Sequence, residues 1–191
     1  YVNTTAAVKA ESDVCCTSAN AVKVVEAMPG DEILFIPDQN LGHYVSTRTK
    51  KKVILYPGYC ITHARLNAKQ VLAAKEAHPD VKVVVHPECT AEVIALADAV
   101  LSTSQMAKYI KESPAQKFLI GTEEGLIHRL KKENPGKTFY AISKALMCPN
   151  MKKTTLEKLA KTMELKRNVV VVPEDIRIRA KNALDRMLAI T

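Results

Sequence analysis

The sequence predicts an α/β protein built of repeated units with parallel sheets. Short β-branched runs alternate with helical patterns, the arrangement recurs at an offset of about 85 residues, and polar side chains gather just after the β-branched runs. In open parallel sheets the carboxyl ends of strands are where ligands bind, so those polar positions face a site if the fold holds.

The elements follow in order. A strand-like Tyr1-Val2-Asn3 precedes Asp13 to Ser18, where the pair Thr17-Ser18 opens an apolar helical pattern. The matching segment is Asp98 to Ser104, where Thr103-Ser104 opens another, so both pairs are expected at helix N-termini, which offer free N–H groups to an anion. The run Ile33-Leu34-Phe35-Ile36 before Asp38 and Gly42 parallels Phe118-Leu119-Ile120 before Thr122 and Gly125. Residues 81–85 read as a strand leading to His86 and Glu88, and residues 91–96 and 125–132 read as helices. Continuous apolar runs at 53–56 and 169–172 fit strands buried on both faces. The last segment reads as a turn at Pro173-Glu174-Asp175 and a closing helix over 176–188, with Ile176, Ala180, Ala183, Leu184, Met187 and Leu188 on one face. The expected organisation is a first α/β unit over 1–82, a second over 83–168, and a strand with its closing helix over 169–191.

Composition narrows the function classes. With 191 residues, 47% hydrophobic and 25% charged, the chain has the make-up of a globular protein rather than a disordered or fibrous one. It contains no apolar run of membrane-spanning length, and its first residues lack a signal-peptide pattern, so a cytoplasmic protein with no membrane partner is expected. The net charge of +8 is dispersed and Trp is absent, which reads as solvated faces and attraction for small anions, with no nucleic-acid partner.

The five cysteines are an odd number without the spacing of a disulfide scaffold, so buried thiols, metal ligands and nucleophiles are the choices. Cys60 and Cys148 lie 88 residues apart, close to the repeat offset, and so occupy equivalent places from which two thiols could converge. A third equivalent falls before Tyr1, and a preceding repeat is therefore expected. Cys15, Cys16 and Cys89 do not share that position and read as small buried residues. His63, three residues after Cys60, reads equally as a partner of the site or as a solvent-facing helix residue. His43, His78 and His128 receive no part.

The motifs then combine. Tyr1-Val2-Asn3-Thr4-Thr5-Ala6, Cys16-Thr17-Ser18-Ala19-Asn20-Ala21, Pro37-Asp38-Gln39-Asn40-Leu41-Gly42, Gly58-Tyr59-Cys60 with His63, and His86-Pro87-Glu88-Cys89 resemble the quinolinate synthase family. Ser102-Thr103-Ser104-Gln105, Gly121-Thr122-Glu123, and Met147-Cys148-Pro149-Asn150-Met151 extend the resemblance over nearly the whole chain, in the family's order.

That resemblance implies three related three-layer α/β/α domains in a pseudo-threefold arrangement, of which two repeats are present here. It implies an enzyme of NAD biosynthesis that condenses iminoaspartate with dihydroxyacetone phosphate, losing phosphate and water to give quinolinate. Each domain supplies one Cys to a [4Fe-4S] cluster, with Cys60 and Cys148 as the second and third ligands and the first expected from a missing N-terminal domain. It further implies catalytic parts for Tyr1, His86 and Glu88, and substrate contacts from Tyr1, Asn3, Ser18, His86, Glu88 and Thr103. Taken as plain residues, Ser18 and Thr103 are helix caps and the His86/Glu88 pair caps a strand-to-helix turn. The rival expectation is a cluster-free, inactive two-domain fragment.

Overall fold

The computed structural model describes residues 1–190. In chain order the elements are α1 (Ala6–Ala10), α2 (Ala21–Ala27), β1 (Glu32–Phe35), α3 (Gln39–Ser46), β2 (Lys52–Leu55), α4 (Ala68–Ala77), β3 (Lys82–Val85), α5 (Ala91–Ile94) and β4 (Ala99–Val100). They continue with α6 (Thr103–Glu112), β5 (Lys117–Gly121), α7 (Gly125–Glu133), β6 (Thr138–Ala141), α8 (Leu156–Leu165) and α9 (Glu174–Ile190). Short 3₁₀ turns at His63–Arg65, Lys144–Leu146 and Met151–Lys153 punctuate the loops after β2 and β6. Every strand pairing is parallel: β1 with β2 in one sheet, and the order β4-β3-β5-β6 in the other.

The larger sheet shows why its strands read as unbroken apolar runs. Successive side chains point to opposite faces. Val83, Val85 and Leu119 enter one core with Leu66, Val71 of α4 and Val93 of α5. Val84, Phe118 and Ile120 enter the other with Met106 and Ile110 of α6 and Leu130 of α7. Both faces are covered, which is the three-layer arrangement, and each fully buried side chain of this size contributes about 1.5–3 kcal/mol. Helix starts are set by side-chain caps: Ser102 and Gln105 bond reciprocally at α6, as do Asn67 and Gln70 at α4.

The smaller sheet is covered on one face. Phe35 joins Val24, Val25, Leu41 and Val45 in a core that α9 closes through Ala183 and Met187. On the other face Leu34 is 66% and Ile54 44% exposed, so the expectation that residues 53–56 are buried on both faces is not met. Among the described residues no helix covers that face.

Residues 169–172 also depart from expectation. They form no strand, and Val169, Val170 and Val171 are 77%, 85% and 83% exposed. A β-branched run becomes a strand only where a neighbouring edge takes up its N–H and C=O groups, and no edge lies beside this one among the described residues. The closing helix forms as α9 and packs on α1 and α2, with Cys15 N–H donating to Ala183 O at 3.0 Å. Leu188, placed on its apolar face by periodicity, is 64% exposed. No helix among the described residues is long and apolar enough to cross a membrane.

Candidate active site

The loops that leave the carboxyl ends of the strands in the two sheets converge. His63 lies in the 3₁₀ turn after β2, His86 and Glu88 follow β3, Thr122 follows β5, and Tyr1 lies on the loop before α1. His63, His86, Glu88 and Thr122 are all buried. His63 Nδ1 lies 2.8 Å from Glu88 Oε2 and its Nε2 lies 2.9 Å from Thr122 Oγ1. The His86 ring stacks on that of His63, with centroids 4.6 Å apart and planes inclined by 14°. The Tyr1 phenol faces both Glu88 and Ser18.

Burial and charge split this group into unlike protonation states. For His63, burial opposes the cation, but hydrogen bonds to Cys60 and Glu88 outweigh it and raise the imidazole to about 9. Both ring nitrogens then carry protons and donate to Glu88 and Thr122. Burial opposes the Glu88 anion too, yet the His63 hydrogen bond and the neighbouring His86 and Tyr1 hold it down to about 2. Burial and the adjacent His63 charge push His86 down to about 4, against the attraction of Glu88. Burial and then the Glu88 charge drive the Tyr1 phenol well above its ordinary range, so it stays protonated and donates a hydrogen bond. Titratable neighbours whose environments push their pKa values apart are the usual material of acid–base sites.

The two repeat-related cysteines are half-buried free thiols on loops after β2 and β6. Donor atoms of Cys60, His63 and Glu88 lie within 4.8 Å of one another. Cys148 faces the buried hydroxyl of Thr62. Backbone N–H groups of Met151 and Asn150 and the Thr62 hydroxyl lower the Cys148 thiol below its ordinary value. The soft sulfur of Cys60, with His63 and Glu88, makes a donor set of the kind that holds a metal ion. Cys15, Cys16 and Cys89 are buried, and burial pushes the Cys89 thiol up to about 12.

A family model described as quinolinate synthetase A protein matches residues 1–189. The chain belongs to the quinolinate synthetase A family. It is 54% identical over 190 residues to quinolinate synthase 1 of Methanosarcina acetivorans, covering 100% of this chain and 62% of that protein. It is 55% identical to the quinolinate synthase of Geotalea uraniireducens, with 62% of that protein covered, and 53% identical to that of Dehalococcoides mccartyi, with 63% covered. The chain thus spans about 62% of the length of the curated relatives it matches.

Of the residues that resemblance to the quinolinate synthase family had singled out, Tyr1, Ser18, His86, Glu88 and Cys60 come together directly, or through His63. A cleft of about 370 Å³ is lined by Tyr1, Asn3, Asp38, Cys60 and Glu88 among others. A larger cleft of about 650 Å³ runs along β1 against Val24, Val25 and Ile190, and Tyr1 lines both clefts. Ser18 does not open a helix as expected: it sits in a turn, and α2 begins at Ala21 after Asn20, whose side chain accepts the Thr17 N–H and hydroxyl. Thr103 is the exposed first residue of α6, with Ser102 as its cap. Gln105 Nε2 donates to Ala19 O at 3.4 Å, which brings the start of α6 beside the Ser18 turn.

His63, open to two readings in the sequence, is the buried hub that joins the two sheets. Thr122 and Asp38 were legible only as polar residues after strands. Thr62 carried no signal, because its partner is 86 residues away.

Proposed function

We propose that this chain forms two of three α/β/α domains of a quinolinate synthase that condenses iminoaspartate with dihydroxyacetone phosphate. The units divide at about residue 82, with α4 packed on the sheet of the second and α9 closing the first, and the protein acts in the cytoplasm. The observation that carries the reading is the convergence of Tyr1, His63, His86, Glu88 and Cys60, from loops of both sheets, into one buried acid–base group beside a soft sulfur donor.

Cys60 and Cys148 would hold a [4Fe-4S] cluster, with its third protein ligand supplied by the part of the relatives that this chain does not span. Such a cluster, with one iron free of protein ligands, supplies a Lewis acid for a substrate hydroxyl or carboxylate. Glu88, held as an anion by His63, offers a hydrogen-bond acceptor to bound substrate, and the protonated Tyr1 phenol beside it offers a donor. His86, neutral at physiological pH, offers a hydrogen bond without adding a second cation beside His63. Asn3, Ser18 and Thr103 orient the polar ends of the substrates at the cleft, where the N-terminus of α6 favours a carboxylate or phosphate.

The test is anaerobic reconstitution with iron and sulfide, with iron content and absorbance near about 400 nm measured beside a Cys60→Ala/Cys148→Ala double variant. Iron uptake and a band absent from the variant support the reading. Absence of both from the unsubstituted chain favours a cluster-free fragment.

A further inference from the structure

The two thiol loops share a device that the repeat places at matching positions in both sheets. Asp38 follows β1, and Glu123 follows β5. Each carboxylate divides its oxygens between two tasks. Asp38 Oδ1 accepts the N–H of Leu41 at 2.8 Å, capping α3, while Oδ2 accepts the N–H of Cys60 at 2.7 Å. Glu123 Oε2 accepts the N–H of Gly125 at 2.8 Å, at the start of α7, while Oε1 accepts the N–H of Cys148 at 3.2 Å. In each case the cysteine lies beyond the next parallel strand, β2 beside β1 and β6 beside β5.

We infer that Asp38 and Glu123 are positioning residues that fix Cys60 and Cys148 by clamping their backbone amides to the helix start of the neighbouring strand. No strand ladder reaches either cysteine, since β2 ends at Leu55 and β6 at Ala141. A charge-assisted hydrogen bond to a buried carboxylate supplies the restraint that the ladder does not. Asp38 is 4% and Glu123 9% exposed, so water competes poorly for either clamp. The surroundings leave room for the Glu123 carboxylate: a Cβ on Gly125 would lie 2.7 Å from Glu123 Oε2. Glu123 carries one further partner, Lys152 Nζ at 2.8 Å, which Asp38 lacks. The clamps therefore share their backbone geometry and differ in their side-chain support.

The link from a held amide to a held ligand rests on the proposed cluster; the clamp itself does not. The test uses the 191-residue chain with Asp38→Asn and Glu123→Gln, each nearly isosteric and able to keep one acceptor but not two. Amide exchange and the alkylation rate of each cysteine are read separately by mass spectrometry. Asp38→Asn is expected to speed exchange at Cys60 about tenfold and to raise its alkylation rate, leaving Cys148 unchanged; Glu123→Gln does the reverse. In iron-loaded protein, each variant is expected to release iron to a chelator about tenfold faster. Unchanged exchange at the variant's own cysteine overturns the inference. So does a rise at all five cysteines together, which would report general loosening. Faster exchange with unchanged iron release overturns the ligand-positioning part. If the unsubstituted chain takes up no iron, the cluster reading fails, while exchange and alkylation still decide whether the clamps exist.

Discussion

His63 Nδ1 stands 2.8 Å from Glu88 Oε2, joining the loop after β2 in one sheet to the loop after β3 in the other. Their side chains are 10% and 6% exposed, so this is a buried ion pair and not a surface bridge. The cation stacks on a second imidazole that stays neutral, and the anion faces a phenol that stays protonated. Charge is thereby held at two atoms, with proton donors on either side.

Removing one partner strands the other in a low-dielectric site. Glu88→Ala is expected to cost about 3–5 kcal/mol of stability, and Glu88→Gln, which can still accept a hydrogen bond from His63, distinctly less. Urea unfolding of the three proteins measures this. A loss below about 1 kcal/mol for the alanine variant would mean the pair behaves like an exposed one.

His86 makes stability depend on pH on the acid side. Its imidazole is lowered from 6.5 to about 4 in the folded protein, so between these values the unfolded chain binds the extra proton and the folded chain does not. Stability contributed by neutral His86 is therefore full above pH 6.5 and is lost as pH falls toward about 4, by an amount on the order of 3 kcal/mol. In His86→Gln, which keeps an acceptor for the Glu88 N–H, denaturation midpoints across that window should fall less steeply. Equal slopes in the two proteins would show that His86 titrates normally.

Gly58 and Gly136 should respond differently to a methyl group. At Gly58 the added Cβ would lie 2.3 Å from Pro37 O, which is backbone and cannot swing aside, whereas at Gly136 nothing lies within 4 Å. Gly58→Ala is expected to lose about 1–3 kcal/mol and to disturb the Cys60 loop, while Gly136→Ala stays within about 0.5 kcal/mol. Thermal melts together with Cys60 alkylation rates separate the cases. A neutral Gly58→Ala would mean that this turn has room the geometry denies.

The segment after α8 offers a check on secondary structure itself. Proline at Val170, 85% exposed and outside any strand, should change stability by less than about 0.5 kcal/mol. Leu119→Ala, fully buried in β5, should cost about 2–5 kcal/mol. Equal losses in urea unfolding would place residues 169–172 back in a sheet.

Local pattern carried most of the fold. Residues 81–85 and 118–120 read as strands because β-branched and aromatic side chains face a core on both sides, and they form β3 and β5. The run at 169–172 is β-branched throughout and forms no strand, because a ladder needs a neighbour and composition does not supply one. The Thr17-Ser18 pair looks like Thr103-Ser104, yet Asn20 takes the Thr17 amide into a turn and delays α2 to Ala21.

What the sequence determined by itself was the α/β class and the family to which the motifs belong. Each is written in spacing along one chain, where side-chain period and motif order are local properties. The tertiary structure alone decided that His63 is a buried cation between Glu88 and Thr122, that Thr62 faces Cys148, and that Asp38 and Glu123 hold the amides of the two cysteines. Those relations depend on which loops meet when two sheets pack. A hydrogen bond between residues 22 to 59 positions apart leaves no period in the sequence.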